Sequence, residues 1–165
     1  QVMARKVRIE WEWACYHVIN RGNTGGDLFA SKGAAESFQN CLFEAAERFG
    51  WRLHAFVVMR NHFHLAVETA EPNLSDGMQW LQGTWAVRFN RLRHEVGRPF
   101  QGRFKALHLE PEHALAQVAH YIHLNPVRAK IVSVARLADY PWSSLALNPR
   151  KDLTCYRKIN PSTTP

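Results

Sequence analysis

The chain has few of the features that mark secreted, membrane-bound or disulfide-rich proteins. Its 165 residues include only three cysteines, Cys15, Cys41 and Cys155, which are scattered, odd in number and without a Cys-x-x-Cys pair. They predict neither a disulfide framework nor a thiolate zinc site, and they favour a reducing cytoplasm. The longest nearly uncharged apolar run, 53–59, is far shorter than the roughly 20 residues of a membrane-spanning helix. We therefore expect no association with a membrane.

Other markers are absent as well. Residues 1–8 carry three basic side chains but no apolar stretch with a small-residue cleavage site follows them, so we expect no secretory signal. No internal repeat, low-complexity block or Walker-type glycine loop is visible. The length predicts one domain, which we place at 1–147, followed by a loosely held tail at 148–165 that is rich in Pro, Ser and Thr.

What the chain does have is positive charge. Twenty-one Lys and Arg against 14 Asp and Glu give a formal net charge of +7, with a pI of about 9.7. Fifteen of the basic residues are Arg, whose planar guanidinium suits phosphate and stacks on bases. This balance is compatible with a nucleic-acid partner, but simple solubility explains it equally well.

Hydrophobic periodicity predicts alternating strands and helices. A strand at 16–20 precedes a helix at 32–49, capped by Ser31 and ended by Gly50. Strands at 51–59 and 62–69 form a hairpin, and a second helix runs from 74 to about 95, closed by Gly97-Arg98-Pro99. A strand at 100–110 leads to a third helix that begins at Pro111 and ends at Asn125-Pro126. This order predicts an α+β, ferredoxin-like sandwich with an antiparallel-rich central sheet.

His62 and His64 form the sharpest local motif. Residues two apart on a strand point to the same face, so both imidazoles can reach one metal ion, while Phe63 and Leu65 face the core. Chance pairs are common in a chain with nine histidines, so an ordinary polar-face pair is the alternative interpretation.

Tyr121 is the second candidate. On a helix it lies about 120° from the core position Leu115, and Asn125 follows one turn later on the same face. An amide oxygen beside two imidazoles would suit a labile divalent ion such as Mg²⁺ or Mn²⁺. An aromatic residue flanking a core helix is the alternative.

Basic and aromatic residues alternate after position 87. This stretch contains Arg88, Arg91, Arg93, Arg98, Arg103 and Lys105, interleaved with Phe89, Phe100 and Phe104. Phosphate neutralisation combined with base stacking is typical of a single-stranded nucleic-acid groove. A solvated basic helix face is the alternative. A rival cluster, His113, His120 and His123, is interpreted as surface histidines.

Five motifs occur in order over most of the chain: YHVINRGN at 16–23, MRNHFHL at 59–65, FQGRFK at 100–105, YIHLNPVRA at 121–129 and DYPWSS at 139–144. Together they resemble the motifs of the REP-associated tyrosine transposases, which belong to the HUH single-tyrosine transposases named after insertion sequence 200. The sequence departs from their pattern at Arg60, where proline is common, at Lys130, where glycine is frequent, and at Gly25-Gly26 in the first loop.

The resemblance implies a metal-dependent DNA strand transferase. It implies that His62, His64 and Asn125 hold the divalent metal, Mg²⁺ or Mn²⁺, and that Tyr121 is the nucleophile, forming a 5′-phosphotyrosine without a nucleotide cofactor. The implied substrate is single-stranded DNA at REP-type hairpins, in the cytoplasm and associated with the nucleoid. We expect the DNA-binding residues to be Arg21, Arg60, Arg88, Arg91, Arg98, Arg103, Lys105 and Arg128.

Two alternative functions remain open on the sequence. The first is a non-catalytic single-stranded DNA or hairpin binder that keeps the fold. The second is a metal hydrolase in which a third histidine such as His17 joins His62 and His64. The sequence also leaves open whether the active form is a monomer or a homodimer.

Overall fold

A computed structural model describes residues 8–23, 27–110 and 112–147 of the chain, with the side chains of 112 and 113 excepted. Its elements in chain order are β1 (Ala14–Arg21), α1 (Lys32–Phe49), β2 (Trp51–Val58), β3 (His62–Thr69), α2 (Leu74–Arg93), β4 (Lys105–His108), α3 (Glu112–Arg128), a 3₁₀ helix (Val134–Asp139) and α4 (Ser144–Leu147). The predicted tail at 148–165 and the Gly25-Gly26 loop lie outside the described residues. Among the described helices, none is both long and apolar enough to cross a membrane.

The four strands form one sheet in the order β2-β3-β1-β4. Each neighbouring pair is antiparallel, with β3 and β1 at the centre. This is the strand order of a ferredoxin-like sandwich, so the predicted α+β fold is confirmed.

The larger core lies on one face of the sheet, under α1 and α2. Alternate residues of the central strands, such as Val18 and Leu65, are fully buried there with Phe38 of α1 and Trp85 of α2. At the two ends of α1, the Ser31 hydroxyl accepts a hydrogen bond from the Ala34 N–H and Gly50 adopts a left-handed conformation. Both predicted ends of this helix are confirmed.

The opposite face of the sheet carries α3, which packs across β2 and β3 and makes a third layer. A second, smaller core joins the helix to the sheet there. Its members are Ala55, Val57, Met59, Ala66, Ala119, Ile122 and Tyr140. The Tyr140 hydroxyl donates a hydrogen bond of 2.8 Å to the Val58 carbonyl, which fastens the segment after α3 to the edge strand. These contacts set the distance between α3 and the sheet.

The end of the third helix differs from the prediction. The helix continues through Pro126 to Arg128, although proline has no N–H to donate to the carbonyl of Ile122. The amide nitrogen of Asn125 instead donates to the carbonyls of Tyr121, at 2.9 Å, and Ile122, at 3.4 Å. The helix therefore survives the proline because the preceding side chain supplies a replacement donor.

Two other boundaries also differ. The second helix ends at Arg93, where His94 adopts a left-handed conformation and its N–H bonds to the Asn90 carbonyl, before the predicted glycine is reached. The strand predicted at 100–110 is limited to Lys105–His108, and the loop before it bonds to the end of β1. There the Gln101 N–H donates to the Arg21 carbonyl at 2.9 Å.

Candidate active site

The two histidines of β3 lie on the face of the sheet that α3 covers. Their ring centres are 5.2 Å apart, while Phe63 between them is fully buried in the opposite core. The alternation expected for a strand is therefore present. His64 is buried and His62 is half-buried.

Both imidazoles are neutral at neutral pH. Burial, together with the neighbouring rings of His62 and His17, lowers the pKa of His64 to about 3. Burial and the charge of Arg21 also lower the pKa of His62. Because a metal ligand must be the unprotonated imidazole, the protonation state of this pair fits a divalent ion.

Tyr121 on α3 faces this pair across the gap between helix and sheet. Its ring centre lies 5.7 Å from that of His64, with the planes at 78°. The neighbouring residues Ala119 and Ile122 are buried in the smaller core, while Tyr121 is 38% exposed. The phenol is thus next to the imidazoles and open to solvent at the same time.

Asn125 lies one turn after Tyr121 and is buried. Its amide nitrogen is held by the helix carbonyls described above, so the amide oxygen is the atom that a cation would use. Together with two neutral imidazoles, this oxygen would make a mixed nitrogen and oxygen donor set of the kind that suits Mg²⁺ or Mn²⁺.

A third imidazole joins the cluster from β1. The Nε2 atom of His17 lies 3.1 Å from Nδ1 of His64, and its ring centre is 5.9 Å from that of Tyr121. Burial lowers the pKa of His17 as well. The sequence indicated this residue only as a third ligand in the hydrolase alternative. The alternation of β1, with Tyr16 in the larger core, was the pattern that could have placed it here.

Three basic side chains flank the cluster. The Arg128 guanidinium lies 5.1 Å from the Tyr121 ring centre, a cation–π distance. Arg21 is directly opposite His62 in the strand register, and Lys105 of β4 is opposite Ile19 of β1. All three are exposed, so the surface around the phenol is positively charged.

Other basic residues named from the sequence are paired within the protein. Arg88 donates to both carboxylate oxygens of Glu44 at 2.8 Å, which raises the pKa of the guanidinium. Arg60 is bound to Asp27. Their charges are compensated, whereas Arg91 is exposed and forms no ion pair within the part of the chain that the structure describes.

Arg98 and Arg103 lie on the loop between α2 and β4. Together with Arg8 they line a cavity of about 780 Å³ that α2 closes on its other side. The Arg8 guanidinium stacks 3.8 Å from the Phe104 ring centre. The expected mixture of basic and aromatic groups is therefore present in this cavity, which we call the loop groove.

A separate polar cluster lies on the same sheet face. Among the described His, Cys, Asp and Glu side chains, one group of three has potential ligand atoms that all lie within 4.8 Å of one another: Cys15, His54 and Glu68. The Glu68 carboxylate is already bound by Arg52 at 3.0 Å and by His54 at 2.7 Å. The sequence pattern missed the cluster because a β-bulge after Leu53 sets the position of His54.

The interpretation of the third-helix histidines as surface groups is wrong for His123. Its Nε2 lies 2.8 Å from the Ser144 hydroxyl, and burial, together with His120, lowers its pKa to about 4. His123 is shielded from solvent because the chain after α3 returns to the sheet and covers this residue. His120 is exposed, and the side chain of His113 lies outside the described residues.

A family model for IS200-like transposases matches residues 12–125. The chain belongs to this family. The matched segment begins before β1 and ends at Asn125, so it includes every residue of the cluster described above. No curated protein sequence matches the transposase significantly. The family indicated by the five motifs is confirmed.

Two solved structures resemble this IS200-like transposase. One is a REP-associated tyrosine transposase bound to a REP hairpin, with a TM-score of 0.74 and 16% identity over 93% of this chain and 90% of the other. The second is a candidate transposase from Deinococcus radiodurans R1, with a TM-score of 0.50 and 24% identity over 72% of this chain and 95% of the other. At these identities the likeness establishes the fold.

Proposed function

We propose that this transposase cuts and joins single-stranded DNA through a covalent bond to Tyr121. The observation that carries the proposal is the 5.7 Å separation between the Tyr121 and His64 rings. It brings a solvent-open phenol and a pair of neutral imidazoles to one place from two distant parts of the chain.

The chemistry is an exchange of phosphodiester partners. The Tyr121 oxygen attacks the scissile phosphorus, a tyrosine O–P bond forms and the P–O3′ bond breaks. The phenol proton leaves and the departing 3′ oxygen gains one, so the products are a 5′-phosphotyrosine and a free 3′-hydroxyl. The covalent bond retains the energy for rejoining, and no nucleotide cofactor is consumed.

His62, His64 and Asn125 would hold a divalent ion, Mg²⁺ or Mn²⁺. Such an ion supplies polarisation and orientation of the scissile phosphate. The buried imidazoles contribute by staying neutral, and Arg128 places positive charge over the phenol ring. This charge would favour a phosphate approaching Tyr121.

The DNA would follow the open half of the sheet. Beyond α3, Leu107 of β4 is 64% exposed, and the exposed Lys105 lies two residues before it on the same face of β4. An apolar surface bordered by positive charge suits bases and phosphates of a single strand. The loop groove, with Arg98 and Arg103, would hold a further part of the substrate.

A REP-type hairpin is the substrate class we propose, because the similar REP-associated transposase was solved with a REP hairpin. DNA as the substrate favours a cytoplasmic, nucleoid-associated protein. We propose residues 1–147 as the catalytic domain. Tyr121 and His64 meet within one chain, so a monomer would suffice, and a homodimer is not required by the site.

The experiment is incubation of the protein with a 3′-labelled hairpin oligonucleotide carrying a single-stranded flank, with and without Mn²⁺. We expect label on the protein in a denaturing gel only with metal. A shifted band in a native gel without any covalent adduct would identify a non-catalytic binder. Free cut ends without protein-linked label would identify a hydrolase.

A further inference from the structure

We propose that His17 is a positioning residue that fixes the tautomer and the ring orientation of His64. In this arrangement Nδ1–H of His64 donates to Nε2 of His17. The inference rests on the proposed function in one respect, that His64 is a metal ligand. It assigns a role to a residue of β1 that touches no reacting atom.

The ring geometry identifies a hydrogen bond. The nitrogens are 3.1 Å apart, the ring centres are 5.3 Å apart and the planes are within 23°. The ring-centre distance exceeds the nitrogen distance by about the sum of two ring radii, so both nitrogens lie near the line joining the centres, as a straight N–H···N bond requires. Two imidazoles that bind one ion point their lone pairs at a third point instead. His17 is thus a partner of His64 and not a third ligand.

The direction of the bond follows from the ligand role of His64. A neutral imidazole carries one proton, so His64 can bind an ion through Nε2 only when its proton is on Nδ1. The opposite direction would place the proton on Nε2 and remove that lone pair. Histidine ligands commonly donate their second nitrogen to an acceptor in this way, which fixes the tautomer and the ring orientation.

The fold holds His17 in this position. In the β1–β3 register His17 is opposite Ala66 and Ile19 is opposite His64, so the two imidazoles are diagonal neighbours on one face. The Tyr121 ring packs edge-on against both, at 5.9 Å and 5.7 Å. The acceptor nitrogen therefore comes from a strand that is hydrogen-bonded to a neighbour on each side.

The first test measures Mn²⁺ affinity by electron paramagnetic resonance without DNA. His17→Phe keeps the aromatic packing and removes the acceptor, and we expect it to weaken binding by about 10–100-fold. His17→Gln supplies an amide oxygen as acceptor and should restore the affinity to within about threefold. Equal affinity of His17→Phe and the parent would overturn the inference. Equal losses in both variants would do so as well, since they would indicate packing and not the hydrogen bond.

The second test reads the tautomer directly. In ¹⁵N-labelled, metal-free protein, long-range ¹H–¹⁵N spectra should show His64 protonated on Nδ1, and His17→Phe should lose this preference. A proton on Nε2 of His64 in the parent would contradict the proposal.

Controls separate this inference from the proposed function. Tyr121→Phe should leave Mn²⁺ affinity unchanged and His64→Ala should abolish specific binding. If His64→Ala binds Mn²⁺ as the parent does, the metal site itself is wrong. If His64→Ala loses Mn²⁺ but His17→Phe does not, only the role of His17 fails.

Discussion

The ring of Tyr121 on α3 and the ring of His64 on β3 are 5.7 Å apart, with their planes at 78°. The contact exists because α3 lies on the sheet face opposite α1 and α2, held there by the smaller core around Ile122 and Ala66. A helix on the other face would place the sheet between phenol and imidazole. The third layer of the fold is therefore what makes the site.

Tyr121→Phe tests the nucleophile. The change removes one hydroxyl from a side chain that is 38% exposed, so the fold and the packing against His64 should persist. We expect covalent DNA capture to fall by about three orders of magnitude or more, measured on a denaturing gel. Tyr140→Phe is the matched control, because its hydroxyl bonds to the Val58 carbonyl outside the cluster and its loss should affect stability only. Equal adduct yields from Tyr121→Phe and the parent would disprove the assignment.

His64→Ala tests the metal ligand. Because phosphate contacts supply most of the affinity for DNA, hairpin binding in a native gel should stay within about threefold of the parent, while cleavage is lost. His120→Ala removes an exposed histidine of α3 and should leave both hairpin binding and cleavage unchanged. Removal of metal with a chelator should reproduce the His64→Ala result in the parent protein. Normal cleavage by His64→Ala would exclude the proposed metal site.

Arg21→Gln and Arg88→Gln separate DNA-facing charge from structural charge. Arg21 is exposed beside His62, whereas Arg88 is engaged by Glu44. Loss of one phosphate contact should lower the slope of log affinity against log salt by about 0.7–0.9, so we expect this change for Arg21→Gln. Arg88→Gln should leave the slope unchanged and alter stability only slightly, as is usual for an exposed ion pair. A salt titration of hairpin binding by fluorescence anisotropy measures both slopes. A lower slope for Arg88→Gln and an unchanged slope for Arg21→Gln would show that Arg21 does not contact the DNA.

Local sequence patterns predicted those helices and strands whose ends depend only on residues at or next to the ends. The spacing of apolar positions gives α1, and Ser31 and Gly50 mark its ends because capping and a left-handed residue act within one turn. The hairpin of β2 and β3 follows in the same way. The five motifs, taken as a family resemblance, singled out His62, His64 and Tyr121, whose rings lie close together in the structure.

Contacts between distant segments set the features that local patterns did not predict. The continuation of α3 past Pro126 depends on where the Asn125 amide points, and the burial of His123 depends on the return of Ser144 to the sheet. The hydrogen bond between His17 and His64 depends on the β1–β3 register. None of these is encoded within a few residues of the position concerned.

The lowered pKa of His123 leads us to expect a loss of stability in acid. Its pKa is about 4 in the folded protein against about 6.5 in an unfolded chain, so between these values the unfolded chain binds more protons. Stability is therefore fully present above about pH 6.5 and is lost as the pH falls towards 4, by about 2–3 kcal/mol for this residue. His123→Gln keeps a hydrogen-bonding group near Ser144 and does not titrate.

The measurement is urea unfolding at several pH values between about 7.5 and 4.5, in the presence of a chelator. His64, His62 and His17 also have lowered pKa values, so the difference between His123→Gln and the parent isolates one residue. The free energy of unfolding of the parent minus that of His123→Gln should decrease as the pH falls. Parallel curves would show that His123 does not titrate as its burial indicates.

Gly77 and Gly83, both within α2, predict opposite responses to alanine. A Cβ at Gly77 would overlap the Trp51 ring, whereas a Cβ at Gly83 meets no atom within 4 Å. Trp51 is fully buried and its indole N–H donates to Asn73 at 2.8 Å, so the ring has little freedom to move. We expect Gly77→Ala to destabilise the protein by about 1–3 kcal/mol, and Gly83→Ala to stabilise it by about 0.5–1 kcal/mol, because alanine favours the helix. Thermal unfolding measures both, and Trp51→Leu, which makes room at this position, should reduce the cost of Gly77→Ala. An equal gain from both alanines would mean that α2 does not pack on Trp51 at Gly77.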